Sequence, residues 1–170
     1  KLDQKVIVFC EFKNIQRLLQ HYIREQFDFD ADIINGDTNA SSGNDLSRQK
    51  RIKAFQAKPG FGVIILSPVA VGFGVNIQEA NHVVHYMRTW NPAKEDQATD
   101  RAYRIGQKKD VYVYYPVITS DDFTTFDEKL DRLLEHKRSL AGDVLNGCPD
   151  VTMADFALDE IVPAEFAKDL

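Results

Sequence analysis

The chain has 170 residues, 44% hydrophobic and 28% charged, which is enough apolar surface for one core and excludes a disordered polymer. No apolar run reaches the ~20 residues that a membrane-crossing helix needs, and two cysteines, Cys10 and Cys148, make neither a disulfide framework nor a metal site. The net charge of −5 hides an asymmetry: residues 1–119 carry 16 Lys+Arg against 13 Asp+Glu, and residues 120–170 carry 5 against 13, so an anionic partner for the body is not excluded.

KVIVFCEF (5–12) is short, apolar and β-branched, and reads as a buried strand with Cys10 as a buried thiol. It lacks the length and flanks of a signal peptide, so a reducing, non-secreted compartment is expected. A helix is expected from about Asn14 to Gln26, with Asn14 as cap and Leu18, Leu19, Tyr22 and Ile23 on its apolar face. ADII (31–34) is a second strand, and NGDTNASSGN (35–44) is turn chemistry throughout. A helix from about Leu46 to Gln56 follows, with Ile52 and Phe55 inward, and KPG (58–60) stops it.

GVIILS (62–67) is a third strand, PVAVGFGVN (68–76) a glycine-bearing loop, and HVVHY (82–86) a fourth strand. WNPAKEDQATDRAYRIGQ (90–107) runs from a loop into a helix, with Pro92 suited to its first turn and Gly106 to its C-cap. VYVYYPVI (111–118) reads as a fifth strand, and 126–145 as a long amphipathic helix. The tail beyond Gly147 suggests only a short helix from Met153 to Glu160. Strands alternating with helices argue for an α/β fold with a mostly parallel sheet and helices on both faces. In such sheets chemistry gathers at the carboxyl ends of the strands.

QATDRAYRIGQ (97–107) is the segment with the clearest chemistry. On a helix, Gln97, Arg101 and Arg104 fall at i, i+4 and i+7 and share a face, the arginines roughly 4.5 Å apart in rise. Two adjacent guanidiniums repel unless an anion neutralises them, and each offers a planar fork of donors suited to phosphate oxygens. Read alone, the pattern equally allows surface pairing with Asp96, Asp100 or Asp110. His82 and His85 flank a strand and read as structural; neither has zinc-ligand spacing to a cysteine.

The order of blocks settles more than any one of them. KVIVFCEF, then INGDT with Arg48, Ile52 and Phe55, then ILSPVAVGFGVNIQEANHVVHYMRTWNP, then QATDRAYRIGQ, then DVYVYYPVI and TFDEKLDRLLEHKRSLAGDVL resembles the second RecA-like lobe of the SWI/SNF-type family of superfamily-two helicase-like ATPases. The likeness covers residues about 5–145, and the RIGQ ending is its most specific mark. Val71 stands where the family usually has glycine, and Tyr103 where it usually has histidine.

The resemblance implies a RecA-like three-layer sandwich over 1–145, closed by a brace-like helix from about 124, with 146–170 an acidic extension. It implies that Arg101 and Arg104 are arginine fingers for ATP, with Gln97, Gly72, Gly74 and Asn76 near the nucleotide. It implies that Gly36, Arg48, Ser67 and Trp90 lie by a double-stranded DNA groove; Trp90 either rests on the duplex or wedges its own loop. The phosphate loop G-x-x-x-x-G-K-[ST] and an acidic pair for Mg2+ do not occur in these residues. The expectation is therefore one lobe of a longer translocase, inactive as an ATPase until an N-terminal RecA-like lobe supplies most of the site for ATP and Mg2+. It is expected in the bacterial cytoplasm on the nucleoid, or in a nucleus, moving a cargo the sequence does not name. The competing readings are a non-catalytic binding module that kept the fold, and a lobe of an RNA helicase.

Overall fold

Short apolar runs that alternate their side chains across a strand can bury both faces only if helices cover each side. A computed structural model of the chain, describing residues 4–38, 47–69, 76–141, 150–152 and 155–156, shows that arrangement. In chain order the elements are β1 (Lys5–Phe9), α1 (Lys13–Phe27), β2 (Asp32–Ile34), α2 (Arg48–Ala57), β3 (Gly62–Leu66), β4 (His82–His85), α3 (Pro92–Thr99), β5 (Tyr112–Tyr114) and α4 (Phe126–Ala141). The chain divides into two units, Lys1–Met87 with Gln97–Tyr115, and Arg88–Asp96 with Pro116–Leu170.

In the first unit the described strands form one sheet in the order β2-β3-β1-β4-β5, and every pairing is parallel. Ile7 and Phe9 of β1 sit beside Ile64 and Leu66 of β3 and face Ile52 and Phe55 of α2, with Ala98 at the end of α3. Val8, Cys10, Val63 and Ile65 point to the opposite face, where Ile15, Leu19 and Ile23 of α1 cover them. Three layers result, helix on sheet on helix. Ile7, Ile34, Ile64 and Leu66 are fully buried, and truncating one to alanine costs about 2–5 kcal/mol.

Several boundaries differ from the sequence reading, each for a local reason. β1 ends at Phe9 because the buried Gln16 amide takes the Cys10 carbonyl at 2.6 Å and draws the chain into α1. The N-cap of α1 is Phe12 rather than Asn14. Its core stripe is 15, 19 and 23, while Leu18 and Tyr22 are 62% and 58% exposed. α2 opens one residue after Ser47, whose hydroxyl accepts the Lys50 N–H. β5 stops at Tyr114, two residues short of Pro116, which has no N–H to give a ladder.

The largest difference concerns the arginine segment. α3 begins at Pro92 but ends at Thr99, so Arg101 and Arg104 stand on turns, not on a helix face. The Arg101 carbonyl accepts the Ile77 N–H at 2.8 Å, and Ala102 is fully buried. That long-range bond diverts the backbone from the helix ladder. Gly106 has φ of +105°, so it supplies a left-handed turn beyond the helix rather than capping it.

In the second unit α4 starts in a capping box. Thr125 N–H donates to Glu128 Oε2 at 2.8 Å, and Glu128 N–H donates to Thr125 Oγ1 at 3.1 Å. Leu130 and Leu134 of α4 are buried with Val151 and Phe156. The expected continuation of α4 to 145, the expected boundary at 145 and 146, and most of the expected helix from Met153 lie outside the described residues.

Candidate functional site

Although the helix ends early, the turns bring Gln97, Arg101 and Arg104 to one place. With Asp100, Tyr103, Gln107 and Lys109 they line a cleft of about 890 Å³. Arg101 is half-buried and Arg104 exposed. Among the described residues neither guanidinium forms an ion pair, in spite of the nearby aspartates. Arg104 Nη1 donates to Asn76 Oδ1, and Gln56 Nε2 donates to the Asn76 carbonyl at 3.1 Å. Asn76 thus joins the cleft through Arg104. Gly72 and Gly74 lie outside the described residues.

Among the described residues no carboxylate meets either guanidinium, and that of Arg104 bonds only the neutral Asn76 amide. Guanidinium donors of this kind suit phosphate oxygens. The donor set therefore fits the phosphate end of ATP. Among the described residues no group of three His, Cys, Asp or Glu could hold a metal ion, so these residues do not fit Mg2+.

The second cluster lies at the carboxyl ends of β2 and β3. Ser67 N–H donates to the Ile34 carbonyl at 2.9 Å, which sets the end of β3 beside the start of the 35–38 loop. Arg48 Nε donates to the Thr38 carbonyl at 2.9 Å, and Lys13 Nζ pairs with Asp37 at 2.5 Å. Asn35 Nδ2 donates to the buried Gln16 Oε1 at 2.8 Å. Gly36, exposed at the crest of this loop, has nothing within 4 Å of where a Cβ would stand. The loop is thus pinned from α1 and α2 while its crest stays open. Of the basic residues on α2, Arg48 and Arg51 direct guanidinium donors to the backbone carbonyls of Thr38 and Ile33.

Trp90 belongs to the second unit. Its ring packs on Phe126 and Phe156 at centroid distances of 6.0 and 5.5 Å, and its carbonyl accepts the Val151 N–H at 2.5 Å. That packing holds the ring in place while leaving it half-buried, so part of its surface stays open. His85 is sandwiched between Phe9 and Tyr115 and bonded to Thr99 Oγ1 at 2.8 Å, and His82 Nδ1 meets the Tyr114 hydroxyl at 2.9 Å, so both are built into the sheet.

Sequence reasoning missed two things. One is a buried ion-pair network in the second unit. Arg88 and Glu95, 5% and 0% exposed, meet through two bonds of 2.9 Å, and Arg138 reaches Glu95 at 3.2 Å and Asp96 at 2.9 Å. The other is the side-chain chemistry of Gln78 and Gln107 beneath the arginine turns. Nothing in local spacing marks either.

The arginine turns are tied to residues 77–80, just ahead of β4, and so lie toward the amino ends of the strands rather than the carboxyl ends that the sequence suggested; the parallel α/β sheet with its covering helices is that of a RecA-like ATPase lobe. The model of the helicase conserved C-terminal domain matches residues 1–106. The chain belongs to that family, in its SWI/SNF-type branch of superfamily two. The Zorya protein ZorD of Escherichia coli O139:H28 is 62% identical over 152 residues, 89% of this chain and 14% of that protein. The putative ATP-dependent helicase/translocase YwqA of Bacillus subtilis is 36% identical over 146 residues, 84% of this chain and 14% of that protein. Among solved structures, the SWI2/SNF2 ATPase core of Sulfolobus solfataricus in complex with double-stranded DNA superposes with a TM-score of 0.59 at 34% identity, over 84% of this chain and 28% of that one. The chain thus spans 14% of the length of these two full-length relatives.

Proposed function

We propose that the chain is the second motor lobe of an ATP-dependent double-stranded DNA translocase. Arg101 and Arg104 act as its arginine fingers, and Gly36, Arg48 and Ser67 form part of its DNA groove. The observation that carries this reading is the pair of guanidiniums that share a cleft with Gln97 and have no acidic partner among the described residues.

Arg101 and Arg104 neutralise charge on the terminal phosphate of ATP held by an N-terminal lobe, an effect worth roughly 10³–10⁵ in rate in comparable systems. Gln97 orients that phosphate, and Asn76 holds Arg104 toward it. Bound Mg2+ supplies further charge neutralisation from the other lobe. Alone, this lobe does not turn over ATP. Closure of the two lobes on nucleotide and release after hydrolysis alternate the grip on DNA. The open crest at Gly36 lets a DNA backbone approach closely, and the Ser67 hydroxyl and Arg48 contribute polar and positive groups beside it.

The test is the ATPase rate of the full-length protein with double-stranded DNA, with RNA and with neither. Stimulation by double-stranded DNA that is lost in Arg101→Ala and Arg104→Ala supports the reading. Stimulation by RNA alone favours an RNA helicase lobe, and no turnover at all favours a binding module.

A further inference from the structure

The turns that carry the arginines are short and exposed, so something must hold them. A primary amide has two N–H donors and one carbonyl acceptor. All are used at Gln107. Its Nε2 donates to the carbonyls of Gln78 and Ala80 at 2.8 Å each and reaches that of Ala102 at 3.3 Å. Its Oε1 accepts the N–H groups of Lys108 and Lys109 at 2.9 Å each. Its own N–H donates to the Arg104 carbonyl at 3.0 Å. Gln78 answers from the other side, its Nε2 donating to the Ile105 carbonyl at 2.7 Å.

These bonds tie residues 76–80 to residues 101–109, and the Ile77 N–H to Arg101 carbonyl bond of 2.8 Å completes the seam. Ile77, Ala80 and Ala102, fully buried, anchor it in the core. Gly106 fits the same device: a Cβ there would come within 3.0 Å of Gln78 Oε1.

We propose that Gln107 is a positioning residue for the arginine pair: its side-chain amide staples the arginine turns to the segment after the glycine-bearing loop and presets the two guanidiniums for phosphate. This rests on the reading that Arg101 and Arg104 act on ATP. No other side chain reproduces the pattern. Asparagine is one methylene too short, lysine has no acceptor, and an ionised glutamate would turn an oxygen toward three carbonyls.

The experiment uses the full-length protein with double-stranded DNA and compares Gln107→Glu, Gln107→Ala, Arg101→Ala and Arg104→Ala with the parent between pH 6 and pH 8.5. The charged groups around position 107 are Glu79, Asp100, Arg101, Arg104, Lys108 and Lys109, and the parent profile corrects for their titration. At pH 8 Gln107→Glu lowers kcat about tenfold or more, the size expected when reacting groups are misplaced without being removed, with KM for ATP within about twofold. The deficit of Gln107→Glu holds across this pH range, because a carboxyl beside Lys108, Lys109, Arg101 and Arg104 stays ionised there. Gln107→Ala loses kcat at every pH. A KM for ATP that rises in step with the fall in kcat, or parent-like kcat in both Gln107 variants while the arginine variants are inactive, overturns the positioning role and leaves the finger reading standing. Full activity in Arg101→Ala and Arg104→Ala overturns both.

Discussion

Two pairs of arginines in this molecule have opposite surroundings. Arg88 and Arg138 are held by carboxylates: Glu95 meets both, Asp131 and Glu135 also pair with Arg88, and Asp96 and Glu135 with Arg138. Arg101 and Arg104 have no acidic partner among the described residues, and Arg104 has only the Asn76 amide. The residue type is the same and the sequences around both pairs are rich in acids. What differs is whether the fold delivers a carboxylate to the guanidinium. A matched arginine is a structural rivet; an unmatched one leaves its donors unclaimed by any carboxylate among the described residues.

The comparison can be broken most severely at the unmatched pair. Arg101→Ala is expected to reduce DNA-stimulated ATPase of the full-length protein by about 10³ or more, with amide hydrogen exchange across 126–141 unchanged. At the matched pair the outcome reverses. Glu95→Ala removes the fully buried carboxylate that Arg88 and Arg138 share, leaving the buried Arg88 only the more exposed Asp131 and Glu135, and should destabilise its surroundings by about 3 kcal/mol, read as faster exchange over 88–96 and 126–141. Parent-like exchange in Glu95→Ala would erase the distinction between the pairs.

Smaller effects sharpen it. Thr125→Ala removes the α4 cap and should cost about 1 kcal/mol, visible as fraying of the first turn of α4 alone. The Thr125 N–H, ahead of the Thr125 hydroxyl and Arg132, holds the Glu128 carboxyl below its usual range. A depressed folded-state pKa gives stabilisation that is present above the unfolded value near about 4.3 and lost as pH falls through the folded value. Exchange protection at the start of α4 should therefore hold at neutral pH and weaken only in acid, and in Glu128→Gln this acid dependence should disappear.

The layers of the fold were legible because β-branched runs and glycine-bearing loops alternate cleanly along the chain. The inward face of α1 was legible only in part. Leu18 and Tyr22 share the helical period with Leu19 and Ile23, and period alone does not say which edge of the stripe meets a sheet. The grouping of Gln97, Arg101 and Arg104 was readable, but the reason given for it, a continuous helix, was not the one the fold uses. That error came from contacts remote in sequence: the Arg101 carbonyl answers Ile77, and Gln107 answers Gln78 and Ala80. No local window displays such bonds. The same holds for Trp90, whose packing partners Phe126 and Phe156 lie far along the chain. The part of the site assigned to Gly72 and Gly74 lies outside the described residues.

The most direct test is a single-turnover measurement of hydrolysis in the full-length protein, preloaded with ATP and Mg2+ on double-stranded DNA, for the parent and Arg104→Ala. If the unmatched guanidinium meets the terminal phosphate, the chemical step slows by about 10³ while ATP still binds. An unchanged chemical step in Arg104→Ala, and likewise in Arg101→Ala, would contradict the account.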